Sequence, residues 1–164
     1  MIRTCFIAAV ILLSACTQKT KPSGPLITFR QAFLDSIIKG SDTSYSKPYK
    51  RPDFVKAEYY RSKTDSSVCQ VMRDSANSVR QVIISRGNVR TYFAQYYANG
   101  QLIADLKQDV YGQNDGPATY YNENGTIKRA GNYSHGFSTG SWKEYDENGI
   151  ITVVRYDSNG TRMN

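Results

Sequence analysis

The chain has 164 residues and a formal net charge of +7, and 12% of it is aromatic, including 13 tyrosines. This length fits one domain, or one small domain joined to a repeat array, and excludes a large multidomain assembly. The tyrosines favour strands. The charge is compatible with nucleic acid, an anionic membrane or an acidic protein partner. The one tight basic group in the folded portion, Lys47, Lys50 and Arg51, is typical of a solvated loop.

Residues 1–15 are typical of an export signal. Arg3 gives a positive start, and residues 6–13 form an apolar run that is shorter than the roughly 20 residues a membrane-spanning helix needs. The run leads into Leu-Ser-Ala-Cys at 13–16, which resembles the lipobox of bacterial lipoproteins. That resemblance implies cleavage before Cys16 and acylation of its thiol and new amino terminus. The alternative is a core helix that happens to end in a cysteine.

Lipidation at Cys16 implies a stable membrane anchor, because two or more acyl chains hold firmly where one holds only marginally. Thr17, rather than an aspartate, follows the cysteine. By resemblance to lipoprotein sorting in Gram-negative bacteria, this indicates the outer membrane rather than the inner one. With Cys5 in the signal and Cys16 acylated, Cys69 is left alone and no internal disulfide can form. Its alternating apolar surroundings favour a small buried hydrophobe over a reactive thiol.

Residues 16–25 hold no large apolar side chain and predict a flexible polar tether. A small α+β segment at 26–86 follows, and it opens with one helix. The helix is predicted to begin at a capping box formed by Thr28 and Gln31 and to end at Gly40. Its apolar residues recur at helical spacing: Phe29, Phe33, Leu34, Ile37 and Ile38.

Pro48 and Pro52 predict an irregular loop over residues 41–52. From Phe54 the apolar period changes towards two, which indicates strands. The predicted strands are 55–60, 67–73 and 78–84, and the last two form a hairpin around 74–77. We expect the helix to pack on this small sheet. The sheet is expected to run on into the following residues without a rigid boundary near residue 86.

Residues 87–160 repeat one pattern, Tyr-x-x-Asn-Gly-x-Leu/Ile, at an interval typical of repeat architectures. Its copies lie at 96–102, 121–127 and 145–151, and a turn glycine precedes each, at Gly87, Gly112 and Gly136. Asn-Gly predicts type I′ hairpin turns, in which both central residues have positive φ. Trp142 and Tyr145 are three residues apart, so either they lie on opposite, covered faces of the strand or a bulge intervenes.

These repeats resemble the MORN repeat in the variant form found in many bacterial proteins. The stretch Gly-x-x-x-Gly-x-Trp-x-x-Tyr within residues 133–145 carries the clearest likeness, which extends over about residues 87–160. The resemblance implies a mainly β fold, in which each repeat is a hairpin and the hairpins stack into an elongated antiparallel sheet. Thr91, Phe93 and Ala118 depart from the pattern in the first two units. Many bacterial members carry the label of antitoxin component, the YwqK-like group.

Few residues indicate a reaction centre. His135, the only histidine, falls in a predicted exposed turn with no orienting partner or nucleophile marked beside it. One histidine and one unlipidated cysteine do not make a metal site, and no cofactor fingerprint occurs. We therefore expect no catalytic residue, no metal and no cofactor. An exported chain is also not expected to meet nucleic acid.

The aromatic residues at fixed repeat positions allow two interpretations. Their rings pack between stacked hairpins while the hydroxyls reach water, or they form an exposed ladder that binds a partner, because such residues dominate interface energetics. The candidate binding surface comprises Trp142, Tyr145, Tyr121 and Tyr96.

Together these features predict a non-enzymatic protein, held to the membrane of the bacterial envelope by its lipid anchor, that binds a protein partner through the repeat sheet. Repeat sheets present surfaces more often than they carry reactions. By the family resemblance, an antitoxin-like or immunity-like role is one form of this function. Two alternatives stay open. One is a structural scaffold that contacts peptidoglycan or anionic lipid, and the other is a small hydrolase whose pocket the sequence does not reveal.

Overall fold

The computed structural model describes residues 24, 27, 31–51 and 53–163, so the predicted export signal and Cys16 lie outside the described residues. Within the described part, one helix precedes a single antiparallel sheet of eleven strands that stand in chain order. The elements are α1 Gln31–Lys39, β1 Ser41–Arg51, β2 Phe54–Ser62, β3 Val68–Arg73, β4 Val79–Arg86, β5 Val89–Tyr96, β6 Leu102–Lys107, β7 Gly116–Tyr121, β8 Ile127–Ser134, β9 Phe137–Tyr145, β10 Ile151–Tyr156 and β11 Arg162–Met163. The predicted mainly β fold of stacked hairpins is confirmed.

The sheet runs without a break across residue 86. β4 and β5 form a regular hairpin in which Arg86 lies opposite Val89. The pairing is shortest between β6 and β7, where Ala104 lies opposite Tyr120 and one further bridge joins Gln108 to Asn114. Each strand thus pairs with its neighbours in sequence, and antiparallel neighbours need only short connections.

The loop predicted for residues 41–52 is wrong, because residues 41–51 form β1. Pro48 lies in this strand opposite Lys56, and the register shifts between Pro48 and Arg51. β1 is the edge of the sheet, where a residue without an N–H is tolerated because one side of the strand has no partner. The stacked rings of Tyr45 and Tyr59, 4.7 Å apart, support the pairing. The basic group at Lys47 to Arg51 therefore belongs to an edge strand, not to a loop; Pro52 lies outside the described residues.

α1 contacts the sheet along a narrower stripe than its apolar pattern predicts. Leu34 is buried and Ile37 is half-buried, whereas Phe33 and Ile38 are exposed. The helix ends where predicted, since the N–H of Gly40 donates to the Ser36 carbonyl at 3.0 Å. The predicted capping residue Thr28, and Phe29 of the stripe, lie outside the described residues.

The Asn-Gly turns are not type I′, which corrects the prediction from sequence. Gly100 has a φ of 85°, but Asn99 is not among the residues with positive φ. The Gly100 N–H donates to the Tyr97 carbonyl at 3.0 Å, and the Tyr97 N–H donates to the Gln101 carbonyl at 2.8 Å. This is a type I turn followed by a left-handed glycine in a bulge.

The same turn recurs in the later repeats. In the second unit the Asn122 N–H donates to the Thr126 carbonyl, and in the third the Asp146 N–H donates to the Ile150 carbonyl. Both bonds are equivalent to the one from the Tyr97 N–H to the Gln101 carbonyl. A type I′ turn occurs instead between β8 and β9, where His135 and Gly136 have φ values of 47° and 85°. The glycines that precede the hairpins do not share one turn type, because the Gly112 N–H donates to the Asp109 carbonyl and the Asp109 N–H donates to the Gln113 carbonyl, as in the Asn-Gly turns.

The sheet has two faces, each with its own buried cluster. The face on which α1 lies, here called the helix face, carries residues paired in register across β2 to β5: Tyr60, Cys69, Val71, Val82, Ile84, Tyr92 and Ala94. The opposite face, here called the tryptophan face, carries the second cluster: Ala104, Leu106, Ala118, Tyr120, Tyr133, Trp142 and Tyr156. The core thus changes sides along the sheet.

The two described residues before α1, Gly24 and Ile27, contact the repeats. The Ile27 N–H donates to the side-chain oxygen of Gln101 at 2.9 Å, and the Ile27 carbonyl accepts the Leu102 N–H at 2.7 Å. Gly24 lies so close to Gly125 that a Cβ at Gly24 would be 2.3 Å from the Gly125 carbonyl oxygen. Gly24, the one described residue of the predicted tether at 16–25, thus packs against a repeat turn, and the tether itself stays a prediction.

Candidate functional site

Trp142 is the centre of the tryptophan face and is 0% exposed. Three tyrosine rings surround its indole, with centroids at 5.0 Å for Tyr133, 6.4 Å for Tyr120 and 6.5 Å for Tyr156. The rings of Tyr133 and Tyr156 stand edge-on to the indole, an arrangement that the charge distribution of aromatic rings favours. The hydroxyls of Tyr120 and Tyr133 are 2.9 Å apart, and burial raises the pKa of Tyr120.

Two further contacts fix the indole. Its Nε1–H donates to the Asn132 carbonyl at 3.2 Å. The Arg129 guanidinium lies 4.1 Å from the Trp142 ring centroid and 5.2 Å from that of Tyr120, which adds cation–π attraction. Trp142 is thus enclosed by side chains of its own sheet, although no second sheet covers this face among the described residues.

Burial decides between the two interpretations of the aromatic residues at two of the four candidate positions, and it corrects the exposed alternative there. Trp142 and Tyr96 are buried, and Tyr121 and Tyr145 are half-buried. The register between β9 and β10 is continuous from Trp142 to Tyr145, so no bulge separates these two residues. They lie on opposite faces because their spacing is odd. Trp142 and Tyr96 are packing residues, whereas a contact role for Tyr121 and Tyr145 stays a prediction.

No described residue covers the helix face at its C-terminal end, and this region is the candidate functional site. Its apolar side chains include Ile151 and Val153, which are 51% and 54% exposed. Lys143 lies opposite Val153, and Tyr145 lies opposite Ile151. We call this region of β8 to β10 the open face, and its members are Ile127, Lys143, Tyr145, Ile151, Val153 and Arg155. Two cations stand there among apolar side chains, and Glu144 of β9 alternates to the opposite face.

A cavity of about 270 Å³ lies between the part of the helix face beneath α1 and the open face. Tyr92, Asp105, Lys107, Pro117, Thr119 and Tyr121 line it. Burial raises the pKa of Tyr92 and of Tyr121, and the negative charge of Asp105 adds to both effects. Asp105 thus lines the same space as the two tyrosines and acts on both electrostatically.

Sequence reasoning missed this cavity. Tyr92 lies opposite Lys107 in the β5–β6 hairpin, and the Asn-Gly turn at residue 100 was a signal that could have given that pairing. Tyr121 reaches the same cavity from β7, across the shortest pairing in the sheet. No local pattern predicts that meeting.

His135 has the partner that sequence reasoning did not find. Its Nδ1 lies 2.7 Å from Asp109 Oδ2, and its backbone N–H donates to Asp115 Oδ1 at 3.2 Å. The hydrogen bond to Asp109 raises the pKa of His135. The hydrogen bond from the Gln113 N–H lowers the pKa of Asp109 most, and the hydrogen bond with His135 lowers it further. The imidazole is 66% exposed, and no serine, threonine or cysteine among the described residues bonds to it; the pair joins two turns.

Cys69 is buried, and burial raises the pKa of its thiol to about 12. A thiol held in its neutral form is a poor nucleophile. In the part of the chain that the structure describes, no three His, Cys, Asp or Glu residues stand together as a metal site. Over the same residues, no helix has the length and apolar character to cross a membrane.

Residues 114–135 and 138–156 match the family model described as the MORN repeat variant. These segments hold the second and third units of the repeat pattern. The third unit contains Trp142, and the buried Ala118 occupies the equivalent position in the second unit. The first unit, with Thr91 and Phe93, lies outside the matched segments. The identification of MORN repeats from sequence is thus confirmed for these two units.

The chain is also similar to a curated protein, the endolytic peptidoglycan transglycosylase RlpA of Helicobacter pylori (strain J99 / ATCC 700824). The two are 25% identical over 170 residues, which cover 98% of this chain and 51% of the relative. The chain therefore spans about half the length of the curated relative it matches.

Two crystal structures also align with the chain. One is of TarM, with 9% identity over 77% of this chain and 24% of that one. The other is of an S. aureus TarM mutant in complex with Fondaparinux, alpha-GlcNAc-glycerol and UDP, with 10% identity over 81% and 25%. Both have a TM-score of 0.26 and carry no argument about this chain.

Proposed function

We propose that this chain, which carries MORN repeat variant units, is a non-enzymatic, lipid-anchored protein of the bacterial envelope that binds a protein partner through the open face. The observation that carries the proposal is the exposure of Ile151 and Val153 beside Lys143 and Arg155. Neighbouring apolar side chains gain free energy when a partner removes them from water. The two cations favour a partner surface that presents carboxylates around an apolar centre.

A photo-reactive amino acid at position 153 tests this proposal directly. Val153 lies on the open face, and the exposed Thr152 beside it points to the tryptophan face. We expect irradiation of cells to yield a discrete adduct from position 153 and none from position 152. Equal adducts from both positions, or none from either, would contradict binding through the open face.

The lipid anchor rests on the lipobox-like residues 13–16. We expect radiolabelled palmitate to enter the wild-type chain and not a Cys16→Ser variant. The wild-type chain should sediment with outer-membrane vesicles in a density gradient, because Thr17 follows the acylated cysteine. Label in the Cys16→Ser variant, or release of the wild-type chain into the soluble fraction, would count against anchoring at this residue.

The non-enzymatic character is supported by the chemistry of the described side chains. His135 pairs with Asp109 on the surface, and Cys69 is buried with a raised pKa. An immunity-like role is the narrower form of the proposal, in which the partner is a toxin that this chain neutralises in the envelope. Co-expression of the cross-linked partner with wild-type chain or with Val153→Asp would decide this. Protection of growth by the wild type alone is the expected result.

A structural role at the cell wall is a second candidate. The observation that favours it is the similarity to a protein named as an endolytic peptidoglycan transglycosylase. In this case the chain holds on to peptidoglycan without cleaving it. Sedimentation of the purified chain with cell-wall sacculi, without release of soluble fragments, is the expected result. A chain that stays in the supernatant would remove this candidate.

A further inference from the structure

The cavity between the α1-covered region and the open face has the composition of a sugar site. Tyr92 and Tyr121 bring aromatic rings to it from different strands, and Pro117 adds a further apolar surface. Its volume of about 270 Å³ lies near the lower limit for small-molecule sites, roughly 300–1,000 Å³. The space therefore suits a ligand of one or two rings and excludes a folded peptide.

The polar groups of this cavity have bonding capacity left over. The side chains of Asp105, Lys107 and Thr119 make no hydrogen bond or ion pair with another described residue. Asp105 and Lys107 lie two residues apart on β6 and so project from the same face. An acceptor and a donor thus stand side by side at the rim, beside two phenol groups that can do either.

We propose that this cavity binds one pyranose ring of an N-acetylated glycan. The C–H face of a pyranose carries a weak positive charge, which matches the negative face of an aromatic ring such as those of Tyr92 and Tyr121. Asp105 accepts the N–H of the acetamido group, and Lys107 donates to its carbonyl oxygen. Thr119 and the phenols bond to ring hydroxyls.

This inference deepens the second candidate function, the role at the cell wall, and rests on it for the biological source of the glycan. It is independent of the open face and of any protein partner. The lining favours a sugar, because two aromatic rings suit the apolar face of a pyranose and Asp105, Lys107 and Thr119 supply hydrogen-bonding groups that a purely apolar ligand would not use. A highly charged anion would meet the Asp105 carboxylate.

The full chain in mild detergent, titrated with the N-acetylglucosamine trimer, tests the inference. We expect amide signals of β5, β6 and β7 to shift on titration, and those of β1 and β11 to stay in place. Asp105→Asn should weaken binding about tenfold, the effect of losing a charge-assisted hydrogen bond. Tyr121→Ala should abolish binding at the same concentrations. Maltotriose, which lacks the acetamido group, should bind at least about tenfold more weakly.

The matched control is Tyr59→Ala, which removes another half-buried tyrosine, one that lies on β2 outside both the cavity and the open face. This variant should bind the trimer as the wild type does. Loss of binding in Tyr59→Ala, retention in Tyr121→Ala, or equal affinity for maltotriose would overturn the proposal. Sedimentation with sacculi that persists in Tyr121→Ala would also refute the cavity as the glycan site, while leaving the wider cell-wall role in place.

Discussion

The indole of Trp142 lies directly on the backbone of Gly131, the residue opposite Ala118 in the neighbouring hairpin. A Cβ placed on Gly131 would stand 2.2 Å from Trp142 Cδ2. The absence of a side chain at this position therefore allows the ring to lie close to the sheet.

Gly131→Ala should destabilise the fold by about 1–3 kcal/mol, the usual range for overpacking. The urea midpoint of unfolding checks this. In a Trp142→Ala background the same change should have almost no effect, because the added methyl group then meets no ring. A double-mutant cycle that gave equal effects in both backgrounds would show that the contact is not the cause.

Gln101 ties the start of the folded chain to the repeats. Its side chain is fully buried, accepts the Ile27 N–H, and donates to the Leu102 carbonyl at 2.9 Å. Gln101→Leu leaves the Ile27 N–H without its acceptor, so we expect a loss of about 1–3 kcal/mol. Limited proteolysis should cut near Ile27 sooner in this variant. Gln95→Leu, at a half-buried position on the tryptophan face, is the control and should resist as the wild type does.

The turn of the third repeat distinguishes the two turn types. In the observed turn Gly149 has a φ of 78° and Asn148 does not have positive φ. Gly149→Ala should therefore cost about 1–2 kcal/mol. Asn148→Ala should cost no more than about 0.5 kcal/mol, as at other exposed positions. Urea unfolding of both variants checks this, since similar large losses at both positions would indicate type I′ geometry.

The pair of His135 and Asp109 should make the docking of the β8–β9 turn depend on pH. The folded pKa of His135 is raised above its ordinary 6.5, so its contribution is complete below pH 6.5 and is lost as pH rises through the folded pKa. The folded pKa of Asp109 is lowered from 3.8, so its contribution is complete above pH 3.8 and is lost as pH falls through the folded value. The pair therefore stabilises the docked turn most between pH 3.8 and pH 6.5.

Hydrogen exchange of the Gly136 amide measures this effect, because that N–H donates to the Asn114 carbonyl across the two turns. Protection, corrected for intrinsic exchange, should be highest near pH 5. An NMR titration should place the pKa of His135 above 6.5 in the wild type and closer to it in Asp109→Asn. An unchanged value in that variant would mean that the pair does not form in solution.

Much of the fold could be predicted from the sequence, because the decisive signals are local. The hairpin at 74–77, the helix end at Gly40 and the burial of Cys69 all follow from neighbouring residues. The strand at 41–51 did not follow, since the tolerance of Pro48 depends on its place at the sheet edge. The turn type at Asn99 was wrong because an Asn-Gly pair fits two loop lengths, and the sequence does not decide between them.

The candidate site was less accessible to sequence reasoning. Spacing alone placed Trp142 and Tyr145 on opposite faces of a regular strand, but it could not say which face was covered. The cavity around Asp105 brings residues of β5 and β6 together with residues of β7, across the short β6–β7 pairing. That pairing is a property of the assembled sheet and leaves no mark in the order of the residues.

The chain-order arrangement of the strands also bears on how the protein folds. Every strand pairs with the next strand along the chain, so each pairing closes only a short loop. Folding is therefore expected to be fast. A sheet of this kind can grow from its first hairpin as the chain emerges from a ribosome or a translocon. The bond between Ile27 and Gln101 is different, because 74 residues separate its ends. This hydrogen bond can form only after the turn before β6 has formed, because Gln101 lies there. We therefore expect Ile27 to dock late.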